Sequence, residues 1–291
     1  MHIVFHPGVH HTDGDRLMKC LLSNKEGFCK KGVAVPGPSR YRTLFREAFD
    51  ALKHAPAAPD SRNVLLDAIL DEEQAARLIL SNVHFFGSAR FALGDGQLYP
   101  LAGERVAQLR QLLPTGQIEI FMAIRNPASF LPVTFPGITQ TELDNRLAGR
   151  DPRELRWSET MARIHRAAPD VAITVWCHED MPLIWAAIIT EMAGLPEHEK
   201  INGAYDLLSQ IISARGMKRF RAHLQQHPNL DIGRERTAIA DMLDAYALED
   251  QVEEDLNLSG WNDALVAEMT EIYEHDMIRL RETPNLRMIT P

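Results

Sequence analysis

The chain has 291 residues, 45% of them hydrophobic and 24% charged, which is the make-up of a globular protein rather than a disordered or fibrous one. Its formal net charge is −9, and it has no basic stretch long enough to follow a phosphodiester backbone, which argues against nucleic acid as a partner. The longest apolar run, MPLIWAAII at 181–189, is far short of the ~20 residues that a membrane span needs, so no membrane partner is expected.

The first run, HIVFH at 2–6, reads as a strand and is followed by the loop HPGVHHTDGD. A helix comes next, with Leu17, Met18, Leu21 and Leu22 on one stripe. GVAVP at 32–36 is a weaker strand, and 42–54 has a helical pattern. Further strands are RLILS (77–81), IEIFMAI (118–124) and VAITVW (171–176), with helices at 103–113 and 156–168 between them. These strands are apolar throughout rather than alternating, as expected for strands buried on both faces of a parallel sheet. Alternating strand and helix predicts crossover units and a doubly wound, three-layer α/β fold. After Gly194 the pattern is helical only, at roughly 203–214, 216–227, 233–248 and 262–282. We read residues 1–291 as one domain, with an α/β core at 1–195 and a helical cap at 196–291. The acidic run LEDQVEEDL (248–256) reads as a solvated face or loop.

Cys20, Cys29 and Cys177 have no zinc-like spacing and are odd in number, so reduced thiols are expected. No basic segment followed by a long apolar one opens the chain, which predicts a cytoplasmic protein.

Ligands of open α/β sheets bind beyond the carboxyl ends of the strands. Here those ends carry HPGVHHTDGD, SNVHFFG (81–87), RNPASF (125–130) and CHED (177–180). In order and spacing they resemble the sulfotransferase family of the P-loop nucleotide-binding superfamily, over most of residues 1–195. Gly8–Leu17 matches the loop G-x-H-K-T-G-T-T and helix that cradle the 5′-phosphosulfate of PAPS (3′-phosphoadenosine 5′-phosphosulfate). FMAIRNP matches the strand whose arginine, here Arg125, binds the 3′-phosphate. SNVHFFG resembles S-x-E-N-x-x-G, GVAVPGPSRYR resembles the second strand and its G-P…R continuation, and the segment from CHED onward resembles Y-E-D-L…L-G-L.

The resemblance implies a PAPS-dependent transfer of a sulfuryl group to a hydroxyl or amine of a small molecule or glycan, without a metal. The cofactor would contact Gly8, Val9, His10, His11, Thr12, Asp13, Gly14, Arg125, and Ser129 or Thr134. The family's serine position, eight residues past the arginine, is Val133 here. His84 stands next to the position of the family's glutamate and would be the base; its other reading is a histidine that only hydrogen-bonds in a cleft wall. Arg125 could equally hold a neighbouring acidic side chain. Glu179 and Asp180, the late E-D pair, read as structural.

The loop departs from the pattern. His11 replaces the lysine, and Asp13, Gly14 and Asp15 replace Gly-Thr-Thr. A like charge at ~4 Å costs about 4 kcal/mol at an effective dielectric of 20, roughly three decades of affinity. The aspartates are instead suited to cap the helix. Flanking aspartates would favour a protonated His11 that imitates lysine. Two alternatives to transfer follow: a degraded sulfotransferase fold with a binding role, or a metal-dependent hydrolase using His6, His10, His11, Asp13, Asp15 and His178.

Overall fold

The computed structural model describes residues 1–70, 74–196, 199–252, 254 and 256–291. Its strands are β1 (His2–His6), β2 (Val33–Ala34), β3 (Arg77–Ser81), β4 (Leu93–Gly94), β5 (Gln97–Leu98), β6 (Gln117–Ile124), β7 (Ala172–Cys177) and β8 (Leu286–Ile289). Six of them form one sheet in the order β2-β3-β1-β6-β7-β8, parallel at every pairing. β4 and β5 form a separate antiparallel hairpin.

The helices are α1 (Arg16–Ser23), α2 (Lys25–Cys29), α3 (Arg42–Ala51), α4 (Ser61–Leu70), α5 (Ala102–Leu112), α6 (Pro127–Thr134) and α7 (Gln140–Leu147). They continue with α8 (Trp157–Ala167), α9 (Met181–Ala193), α10 (Asp206–Ile211), α11 (Ala214–Gln226), α12 (Ile232–Tyr246), α13 (Glu249–Val252) and α14 (Asp263–Arg281).

Alternate residues of each central strand enter different cores. Ile3, Phe5, Leu78, Leu80, Ile120 and Met122 pack beneath α3, α5, α8 and α14. Val4, Ile79, Phe121 and Trp176 pack beneath α1 and α9. The sheet is therefore covered on both faces, which is why its strands read as unbroken apolar runs. A third, smaller core around Phe220 joins α10, α11 and α12 and reaches the second through Leu183. In α1 the buried residues are Leu17, Met18, Cys20 and Leu21, whereas Leu22 faces outward.

The segment after Gly194 is not helical only. β8 adds the sixth strand beside β7, and α14 returns to the main core through Met269, Tyr273 and Leu280. α14 also supplies the cap that α8 lacks. Asp276 is buried and accepts from the backbone N–H of Ser158 (3.0 Å) and from the Ser158 hydroxyl. A carboxylate at this point meets free N–H groups and the positive end of the helix dipole.

Deleting residues 284–291 would strip the β7 edge and remove the buried side chain of Ile289 from the second core. Burial of one such side chain contributes roughly 1.5–3 kcal/mol, so the urea midpoint is expected to fall; an unchanged midpoint would show that β8 is peripheral.

Candidate functional site

β1 lies between β3 and β6, so the ends of these three strands stand side by side at the carboxyl edge of the sheet. The loop from Pro7 to Asp15 is the middle element. The end of β3, with His84, flanks it on one side, and the end of β6, with Arg125, on the other.

The loop turns through four left-handed residues, Gly8 (φ 63°), His11 (58°), Gly14 (55°) and Asp15 (64°). A Cβ on Gly8 would stand 3.1 Å from the Cα of Val83, so only glycine lets the loop lie this close to the β3 turn. Val9 is buried, and its carbonyl accepts from the Thr12 hydroxyl at 2.7 Å. That hydroxyl therefore points back into the loop. Asp13 Oδ2 accepts from the backbone N–H of Leu17 (3.1 Å) and so caps α1, while Asp15 caps nothing with its side chain.

The histidines near this edge disperse. His6 Nδ1 lies 2.8 Å from the Ser81 hydroxyl. The Tyr99 hydroxyl accepts from the His10 N–H (2.9 Å) and lies 2.7 Å from His10 Nδ1. Burial, helped by His84 and His11, pushes the His10 pKa down to about 4, so the ring is neutral at pH 7. His10 Nδ1 and the Tyr99 hydroxyl share one hydrogen bond, while Nε2 is buried without a partner. The His10 and His84 rings are 5.7 Å apart. Among the described residues, no three His, Cys, Asp or Glu side chains are grouped to hold a metal ion.

His11 needs a correction. The flanking aspartates were expected to hold it protonated. Instead, burial and the Arg125 guanidinium lower its pKa, and these outweigh the opposing pull of Glu254. A neutral imidazole at pH 7 does not replace a lysine.

Arg125 is buried, and its guanidinium is shared three ways. Nε donates to the Ser129 hydroxyl (3.1 Å), Nη1 to the His11 carbonyl and Nη2 to the Glu254 carboxylate. Its own carbonyl accepts from Trp157 Nε1 at 2.7 Å. Of Ser129 and Thr134, both expected at the cofactor, Ser129 is the one that bonds Arg125. Thr134 is buried, and its hydroxyl has no partner. Glu254 also changes the reading of the acidic run. This residue faces the site rather than only solvent, while 253 and 255 lie outside the described residues.

A cavity of about 650 Å³ opens beside Arg125. His11, Thr12, Gly14, Arg16, Ser129 and His178 are in its wall, with α10 and α13 closing one side. His178 Nδ1 is buried there without a partner, and burial together with Arg125 and Arg16 lowers the His178 pKa to about 4. Glu179 accepts from the Asn126 N–H (2.9 Å) and the Tyr273 hydroxyl (3.0 Å), so it ties the ends of β6 and β7 to α14.

His10 and His178 titrate lower folded than unfolded, so between about pH 6.5 and 4 the unfolded chain binds more protons. Their contribution to stability is complete above pH 6.5 and is lost as the pH falls through 4. Urea denaturation across this range should show a shallower decline for His178→Gln than for the parent; equal slopes would rule out a neutral buried His178. Comparison of the chain with protein-family models, with curated proteins and with solved structures finds no match.

Proposed function

We propose that the chain is a sulfotransferase-like protein of the P-loop nucleotide fold. In this reading it binds PAPS or its desulfated product PAP in the Arg125 cavity and transfers the sulfuryl group to a hydroxyl or amine acceptor on the His84 side. One observation carries it: a buried arginine beside a cavity and an exposed histidine stand on opposite sides of a glycine turn at the carboxyl edge of a parallel sheet. That edge is where open α/β sheets hold ligands.

The donor set suits an anionic nucleotide in part. Arg125 and Arg16 supply positive charge, Ser129 supplies a hydroxyl, and the unpartnered His178 Nδ1 supplies a polar contact in the wall. PAPS would bring the activated sulfuryl group; the protein's part is positioning and charge stabilisation. His84 would accept the acceptor's proton as the new oxygen–sulfur bond forms and the bond to the phosphate breaks. Glu254 must yield Arg125 for a phosphate to bind, because two anions cannot share Nη2 without repulsion.

A second reading, binding without transfer, is favoured by the loop. Asp13 already caps α1, the Thr12 hydroxyl is turned inward, and His11 is neutral at pH 7. No cation on the loop then offsets charge on a transferring group.

Titration calorimetry with PAP separates these outcomes. Arg125→Gln should weaken binding about tenfold or more, the scale of one charge-assisted phosphate contact. Glu254→Gln should strengthen it by removing the competing carboxylate. Absence of PAP binding in both the parent and Glu254→Gln sinks the nucleotide reading. PAP binding without sulfuryl transfer to any of a panel of hydroxyl and amine acceptors selects the second.

A further inference from the structure

A second cavity, of about 330 Å³, opens on the far side of the loop. Its wall consists of Arg42, Thr43, Arg46 and Phe49 from α3, Asn82, His84 and Phe85 from the end of β3, and Arg105 from α5. Three guanidiniums and a histidine line it, and among the described residues no carboxylate does. This is the reverse of the chain as a whole, which has 40 acidic and 31 basic residues.

The arginines are weakly compensated. Arg46 comes within 4.0 Å of Glu47, the outer limit of an ion pair. Arg105 is held by the neutral Gln108 oxygen (2.9 Å) and lies over the Phe49 ring (5.0 Å). Asp50, on the same helix, bonds Lys53 at 2.7 Å and acts on Arg105 and Arg46 only at longer range. Arg42 also borders a narrow crevice lined by Asp13 and Asp15, so it stands between the loop and the cavity. The N-terminus of α3 has no side-chain cap, Tyr41 not being a capping residue. Three like charges left side by side repel, and an anion placed among them removes that cost. Arginine suits this role because its planar fork binds phosphate oxygens in pairs.

We propose that this cavity binds a small phosphomonoester, with the arginines on the phosphate and Thr43 and Asn82 offering polar contacts to the rest of the molecule. Where the phosphomonoester also carries a hydroxyl, its place beside His84 makes that hydroxyl the acceptor of the proposed transfer: its oxygen bonds the sulfur, its proton passes to His84 and PAP leaves. That role rests on the reading of the previous subsection, whereas the anion site does not.

The test is titration calorimetry with phenyl phosphate, and with phenol as the neutral counterpart, on the full chain. Phenyl phosphate should bind and phenol should not be measurable at the same concentrations. Arg42→Ala and Arg46→Ala, both at exposed positions, should each weaken binding about tenfold. Arg125→Gln should leave it unchanged, and circular dichroism confirms that each variant is folded. No binding of phenyl phosphate, equal binding of phenol, or loss in Arg125→Gln with retention in Arg42→Ala overturns the proposal. PAP titrated into the same samples reads the other cavity. PAP binding without phenyl phosphate binding removes the phosphomonoester site and leaves the donor site. Phenyl phosphate binding without PAP binding supports the anion site and removes sulfuryl transfer.

Discussion

A guanidinium that stays charged while only 1% exposed must find partners at every nitrogen, and Arg125 meets this demand with three separate parts of the chain. Its partners are the β1 loop, the first turn of α6 and the segment after α13. Its carbonyl adds a fourth through Trp157, at the start of α8. The layout of the sheet's carboxyl edge follows from satisfying this one charge. α10 and α13 border that edge, and Glu254, just beyond them, supplies the carboxylate.

The middle strand divides the edge into two arginine-bearing regions, the Arg125 side balanced by Glu254 and Glu179, with an acidic loop between them. Arg125 and Arg16 stand on one side, and Arg42, Arg46 and Arg105 on the other. Asp13 and Asp15 lie between them. Asp13 is held there by a helix N–H group, so the loop's negative charge is built into the start of α1. Two anions bound on either side would each face arginines and would have the loop's carboxylates at their backs.

The sheet was legible because its strands are buried on both faces, which leaves Ile3 to Phe5 and Ile120 to Ile124 apolar without interruption. β8 was not, because LRMI is four residues long, half-buried and interrupted by Arg287. α6 was hidden by Pro127 and Pro132, although Asn126 is a good cap and proline suits a first turn. Loop residues next to strand ends could be named from position alone. Partners brought from far along the chain could not: Tyr99 meets His10 across 89 residues, and Glu254 meets Arg125 across 129. The basic cavity draws on α3 and α5: Arg42 closes the GVAVPGPSRYR stretch, but nothing in sequence joins it to Arg46 and Arg105. His11 was read from its acidic sequence neighbours, whereas burial and the Arg125 charge act more strongly on its ring.

The left-handed turns of the β1 loop bear on how the site opens. A non-glycine residue held at positive φ stores of the order of 1–3 kcal/mol unless its surroundings enforce it, and His11 and Asp15 are both held so. The bond from Arg125 to the His11 carbonyl is the clamp on the first of them. Whatever draws the guanidinium away therefore also releases a wound segment of backbone. Amide hydrogen exchange at residues 10–13 consequently reports the occupancy of Arg125, and the least costly local unfolding of the edge begins at that carbonyl rather than at the helices that cover it.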